Sequence, residues 1–146
     1  MSGMIEIVGD LWEEHEGGSV VAITTGGLVD RHGRAAMPRG CARQAAKRFP
    51  ALRNLLGGLL RARGNHVYDL GGGLVSFPVE GSPYEMPDPR IIERSCRELV
   101  ELTGRSGWLR VVVPRPGCGG GGLEWEAVGP FLDRYFDQRF LVITRE

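Results

Sequence analysis

The residues whose types and spacing suggest chemistry most directly lie in "VVVPRPGCGGGGLEWEAV", Val111 to Val128, where an apolar β-branched run gives way to a glycine-dense bend and then a helical pattern. Five of the six residues from Gly117 to Gly122 are glycine. A bend without side chains lets main-chain N–H groups converge on an anion, and a helix starting just after it adds the positive end of its dipole. Phosphate suits such a bend; the bland alternative is a surface loop with no ligand. Gly117, Gly119 and Gly122 also satisfy G-x-G-x-x-G. That fingerprint, however, belongs at the start of a βαβαβ unit with an acidic residue about 20 positions on, and here only one strand follows. No Gly-Lys-Ser/Thr follows either, so a Walker loop is excluded. Elsewhere the chemistry is thin. Ser76 and Ser82 have no histidine and acid arranged around them, and His15, His32 and His66 fall in turn-like or strand-edge contexts without ligand spacing. Cys41, Cys96 and Cys118 are odd in number and widely spaced. They fit neither a disulfide framework nor a zinc knuckle and read as reduced thiols, two of them in the core.

The elements that must position that bend alternate between strand and helix. "MIEIV" (Met4 to Val8) and "SVVAIT" (Ser19 to Thr24) read as strands, with "EHEGG" between them a turn. From Pro38 to Phe49, Met37, Cys41, Ala45 and Phe49 share one face of a helix while Arg39, Arg43 and Lys47 share another, which either draws in an anionic ligand or is only a solvated basic face. Pro50 suits the first turn of a second helix, "ALRNLLGGLLRA"; "HVYDL" and "LVSFP" form a strand pair around Gly71 to Gly73. "MPDPRIIERSCRELVEL" is a helix with Ile92, Cys96 and Leu99 on its apolar stripe and a stop at Gly104. "WLRVVVP" reads as a strand buried on both faces, "LEWEAVGPFLDRYF" as a helix with Trp125, Val128, Leu132 and Tyr135 on one side, and "RFLVIT" as a last strand. The class is α/β in three layers. The 146 residues, 42% of them apolar, make one domain over 1–146, and the formal net charge of zero supplies no broad basic surface for a duplex or a membrane. With no signal layout in "MSGMIEIVGD" and no apolar run near ~18 residues, a cytoplasmic protein is expected.

Three segments, "IEIVGDLWE", "AAMPRGCARQAAKRFP" and "PRPGCGGGGLEW", together resemble the macro domain, an ADP-ribose-binding α/β/α fold, in order and spacing along nearly the whole chain. The similarity is greatest to the branch holding the terminal ADP-ribose glycohydrolase and the antitoxins that remove ADP-ribose from DNA, in which P-x-x-GCG-x-x-x-L-x-W recurs. The resemblance implies a central mixed, mostly parallel sheet of about six strands. It also implies roles. Asp10 matches the carboxylate that accepts from the adenine amino group, beside the Leu11 backbone; the structural alternative is a helix or turn cap. Met37 to Ala42, including Arg39, Gly40 and Cys41, match the first loop, facing the pyrophosphate and distal ribose. Gly117, Cys118, Gly119, Gly120, Gly121, Gly122 and Leu123 match the second. Thr24 and Thr25 end the second strand near the distal ribose, or serve only as strand-end residues. Trp125 is expected in the core.

The departures from the family concern catalysis. Val79 and Glu80 of "SFPVEG" stand where the glycohydrolase branch has a strand-end threonine and a lysine that attacks the distal ribose. The loop acid of one subfamily falls at Gly121, the antitoxin-like asparagine at Gly120, and the asparagine and aspartate pair of another branch has no match in "TTGGLVDRHG". A carboxylate cannot form the imine available to a lysine. The expected activity is therefore hydrolysis of ADP-ribose from protein Glu/Asp by positioned water, with Glu80 as candidate general base, against an exposed loop carboxylate as the bland alternative. A non-catalytic ADP-ribose reader and an antitoxin-like activity on modified nucleic acid are the alternatives. The expected partners are ADP-ribose and an ADP-ribosylated protein, with no cofactor, no metal and no membrane, and with the protein a monomer.

Overall fold

A computed structural model describes residues 3–120 and 122–145. The elements run β1 (Ile5–Val8), α1 (Leu11–Glu16), β2 (Val20–Thr25), α2 (Gly40–Arg48), α3 (Leu52–Arg63), β3 (Asp69–Gly71), β4 (Leu74–Pro78), α4 (Pro89–Ser106), β5 (Val111–Pro114), α5 (Trp125–Tyr135) and β6 (Phe140–Thr144). The six strands form one sheet in the order β1-β6-β5-β2-β4-β3, parallel throughout except for the β3–β4 hairpin. This is the mixed, mostly parallel sheet that the resemblance implies.

The three layers follow from the period of two along each strand. Val21, Ile23, Val112, Leu141 and Ile143 join a core with Trp12 of α1, Ala45 of α2 and Leu56 of α3. Their neighbours Ala22, Val111, Val113, Phe140 and Val142 join a second core with Ile92, Cys96 and Leu99 of α4 and Val128 and Leu132 of α5. Strands covered on both faces need to be apolar at every position, and "VVV" of β5 is fully buried. No helix among the described residues is long and apolar enough to cross a membrane.

Two local expectations are corrected. The "EHEGG" segment is a turn only at Gly17 and Gly18: Leu11–Glu16 is helical, started by Asp10 and stopped at Gly17, and His15 lies within it. Helix α4 passes Gly104 and ends at Gly107, whose φ of 72° is the left-handed conformation that closes helices cheaply only in glycine.

Candidate functional site

Parallel strands point their carboxyl ends the same way, and a crevice opens where successive crossovers leave on opposite faces of the sheet. Here a cleft of about 720 Å³ lies over the carboxyl ends of five strands. Gly9 and Asp10 after β1, Thr24 and Thr25 of β2, Val79 and Glu80 after β4, Pro114 and Arg115 at the end of β5, and Thr144 of β6 all line it.

One wall of the cleft carries main-chain donors without partners among the described residues. Helix α2 begins after Arg39, which makes no side-chain cap, so the first-turn N–H groups of Gly40, Cys41 and Ala42 find no acceptor among the described residues. All three residues line the cleft, and Gly40 has φ 61°, which a side chain would strain. Opposite, Gly117, Cys118, Gly119 and Gly120 line the cleft on the way to α5, which also begins without a side-chain cap. That loop is closed on itself by Leu123 N–H donating to the Gly117 carbonyl at 2.9 Å. At Gly117, φ 75° and an added Cβ only 2.9 Å from Leu123 Cδ1 leave room for glycine alone. The uncapped start of α2 suits a diphosphate, whereas the start of α5 sets Glu124 and Glu126 against its own dipole in the cleft lining.

The two ends of the cleft carry carboxylates. Asp10 caps α1: its Oδ1 accepts from Trp12 N–H at 2.8 Å and Glu13 N–H at 3.1 Å, and its Oδ2 has no hydrogen bond among the described residues. Glu80 is only 12% exposed and sits over Gly26, where an added Cβ would meet Glu80 Cγ at 3.2 Å. Burial pushes its carboxyl above the ordinary glutamate value; Arg39, at 3.8 Å, opposes the rise and Glu85 adds to it. The Glu80 carbonyl is held by Asn65 Nδ2 at 3.0 Å, which ties the loop backbone down at this residue.

No family model matches the chain. A region of 59 residues is 41% identical to a DNA ADP-ribosyl transferase-DNA ADP-ribosyl glycohydrolase fusion protein of Thermosipho africanus, covering 40% of this chain and 15% of the fusion protein. Among solved structures, the macrodomain of Mycobacterium tuberculosis DarG superposes over 99% of this chain and 100% of its own length, with a TM-score of 0.81 at 19% identity. Thermosipho africanus DarTG in complex with ADP-ribose matches all of this chain and 43% of its own length, with a TM-score of 0.77 at 19% identity. The chain folds as a macrodomain. The fusion protein's name specifies DNA, the substrate class that ranked behind protein carboxylates in the sequence expectations.

Within this macrodomain most of the expected residues converge. Asp10, Leu11, Thr24, Thr25, Arg39, Gly40 and Cys41 line the cleft, as do Val79, Glu80, Gly117, Cys118, Gly119, Gly120 and Leu123. Met37 does not: it is buried in the core beneath α2 and α3. Gly122 lies outside the cleft lining, and Gly121 lies outside the described residues. Of the three cysteines only Cys96 is in the core; Cys41 and Cys118 are half-buried in the cleft walls, and Thr24 meets the Cys41 sulfur through its N–H at 3.4 Å and its hydroxyl at 3.3 Å.

Several cleft residues were not foreseen. Trp125, expected in the core, is half-buried: it packs against the second core and also lines the cleft, with the Arg115 guanidinium 4.6 Å from its ring centroid. Trp12 and Gln44 form part of the wall beside Asp10, joined by Trp12 Nε1 donating to Gln44 Oε1 at 2.7 Å. Recognising α1 from its Asp10 cap would have placed Trp12 there.

Proposed function

We propose that this cleft binds ADP-ribose and that the chain hydrolyses the bond joining ADP-ribose to modified DNA. The observation that carries the proposal is the pairing of two uncapped helix starts across one crevice, with Asp10 at one end and Glu80 at the other. The diphosphate takes the amides of α2 and of the Gly117–Gly120 loop. Adenine lies at the Asp10, Leu11 and Trp12 end, its amino group donating to Asp10 Oδ2. The distal ribose then reaches Thr24, Val79 and Glu80. The relatives support DNA as the substrate: one is named as a DNA ADP-ribosyl glycohydrolase fusion and one was solved with ADP-ribose bound. Nothing in those names supports a modified protein glutamate or aspartate, so the substrate order expected from the sequence is reversed.

Glu80 stands where a lysine nucleophile would form a covalent intermediate, so the chemistry has to pass through water. The Glu80 carboxylate takes a proton from a water molecule whose oxygen bonds to the anomeric carbon of the distal ribose. The bond from that carbon to the DNA breaks, its electron pair leaves with the DNA atom, and the proton held by Glu80 is delivered there. Free ADP-ribose and unmodified DNA result. A carboxyl raised by burial exchanges that proton more readily at neutral pH than an ordinary one. The same Glu80 also supports a second reading, in which a lysine-free site holds ADP-ribose without turning it over. Release of ADP-ribose from a modified oligonucleotide by wild type and by Glu80→Gln separates the two. The hydrolase requires release by wild type and at least about 100-fold slower release by the variant, the usual scale of a lost general base; binding without release leaves the reader.

A further inference from the structure

The segment from Val79 to Asp88, between β4 and α4, is closed at its base: Val79 N–H donates to the Thr25 carbonyl at 2.9 Å and Asp88 N–H to the Val79 carbonyl at 2.8 Å. Inside it Glu85 N–H bonds the Ser82 carbonyl at 3.1 Å and Tyr84 N–H bonds Ser82 Oγ at 3.2 Å. Its flank is tied down by Gly27 N–H on the Gly81 carbonyl at 2.9 Å and by Arg39 Nη2 on the Pro83 carbonyl at 3.2 Å. A backbone held at so many points nevertheless presents Tyr84 at 90% exposure and Met86 at 69%. Tyr84 is the one aromatic among the exposed large apolar side chains of the described residues. Beside it lies a second hollow of about 490 Å³, lined by Tyr84, Pro83, Leu28, Met37 and Arg53 and sharing Ala36, Pro38 and Arg39 with the main cleft. The shared residues put the hollow next to the cleft, and Arg39, 3.8 Å from Glu80, places it on the Glu80 side, where whatever is joined to the distal ribose must emerge.

We infer that this hollow seats the single-stranded DNA around the modified nucleotide, with Tyr84 as the platform on which a base stacks. The inference rests on the proposed ADP-ribose cleft and names what lies beyond it. A rigidly presented, uncovered aromatic ring offers a π-face that any base can use, and a base is available for stacking only when it is out of a duplex. Arg39, half-exposed and lining both hollows, supplies a cation for a phosphate next to the modified position. With a formal net charge of zero the chain has little general attraction for the DNA backbone, so stacking carries most of this contact and its salt dependence is shallow.

The test uses the full chain carrying Glu80→Gln, so that the label survives the measurement, and compares Tyr84→Ala, Tyr84→Trp and the Tyr84 parent. Two ligands are titrated: free ADP-ribose by calorimetry and a fluorescent single-stranded oligonucleotide carrying ADP-ribose by anisotropy. Tyr84→Ala weakens the modified oligonucleotide roughly 5- to 140-fold, the span of alanine substitutions at base-stacking aromatics. It leaves free ADP-ribose within about twofold, and Tyr84→Trp restores the oligonucleotide. Equal oligonucleotide affinity in Tyr84→Ala and the parent, with ADP-ribose binding intact, overturns the platform alone. So does a Tyr84→Ala loss that appears on ADP-ribosylated protein and not on the oligonucleotide. If the parent takes up no free ADP-ribose, the cleft assignment falls and the platform with it.

Discussion

Adjacent glycines in the middle of α3, Gly57 and Gly58, should respond to alanine in opposite directions. A Cβ at Gly57 would lie 2.0 Å from the Gly33 carbonyl oxygen, 2.9 Å from its carbon and 3.0 Å from Ala35 N. These are backbone atoms, and the segment holding them is pinned to the same helix: Ala35 N–H donates to the Arg53 carbonyl at 2.8 Å, Arg53 Nε donates to the Ala35 carbonyl at 2.8 Å, and Arg61 Nη2 donates to the Asp30 carbonyl at 3.3 Å. To relieve the clash the helix or the segment must retreat, which strains the packing by about 1–3 kcal/mol and weakens hydrogen bonds worth about 1 kcal/mol each. The helix-propensity gain of about 0.5–1 kcal/mol does not offset that, and the net is a loss of roughly 2–3 kcal/mol. At Gly58 nothing lies within 4 Å of the added Cβ, so only the gain remains. At roughly 3 °C per kcal/mol for a chain of this size, Gly57→Ala lowers Tm by about 5–10 °C and Gly58→Ala raises it by about 1–3 °C, measured by thermal melts followed by circular dichroism. If Gly57→Ala melts at or above wild type, the backbone-on-backbone packing of α3 is wrong. Because Ala35 and Ala36 lead directly into Pro38–Gly40 of the cleft wall, such a result would also loosen the account of how α2 is positioned.

Asp10 separates capping from recognition. Asp10→Ala loses the cap, about 0.5–2 kcal/mol, together with the adenine contact, whereas Asp10→Asn keeps the cap and turns its amide NH₂ toward another donor, so a melt unchanged from wild type should accompany weakened ADP-ribose binding. Because burial raises the Glu80 carboxyl, DNA de-ADP-ribosylation should rise with pH through an apparent pKa above the ordinary glutamate value, and Arg39→Ala, removing the guanidinium that opposes the rise, should move that limb higher still. The stability sign is the reverse: folding disfavours the charged form of Glu80, so Glu80→Gln raises Tm at neutral pH and the difference disappears as pH falls below the ordinary glutamate range. Cys96 is fully buried and its thiol is pushed up to about 12, so mass spectrometry after iodoacetamide at pH 8 should find it unmodified until the protein is unfolded.

The parts of the fold that could be read from sequence are those with enough residues to show a period. The stripe Ile92, Cys96 and Leu99 marks α4, and the unbroken apolar run of β5 marks a strand covered on both faces. Helix α1 has six residues and only Leu11 and Trp12 buried, too few for periodicity, and its one clear signal was the Asp10 cap. At the end of α4, Gly104 and Gly107 look alike in sequence, and only the backbone angle distinguishes a tolerated glycine from the one that closes the helix. The cleft loops were legible only through the resemblance of three segments in order and spacing, since a glycine-rich strand-to-helix bend alone fits a ligand-free surface loop as well. The side-chain walls were not: Trp125 meets both core and cleft from one helix position, and the Glu80 loop is held by contacts remote in sequence, among them Asn65 on the Glu80 carbonyl. Tyr84 carries no periodic signal at all, since its exposure is set by a loop closed through backbone hydrogen bonds.

Isothermal titration of the purified chain with ADP-ribose bears most directly on the proposal that amides at the start of α2 and in the Gly117–Gly120 loop hold a diphosphate. The account predicts a saturable one-to-one isotherm for wild type and its loss in Gly40→Val, where a side chain at φ 61° would both strain the start of α2 and crowd the anion. A flat trace for wild type at millimolar ADP-ribose, or an unaltered isotherm for folded Gly40→Val, would contradict it.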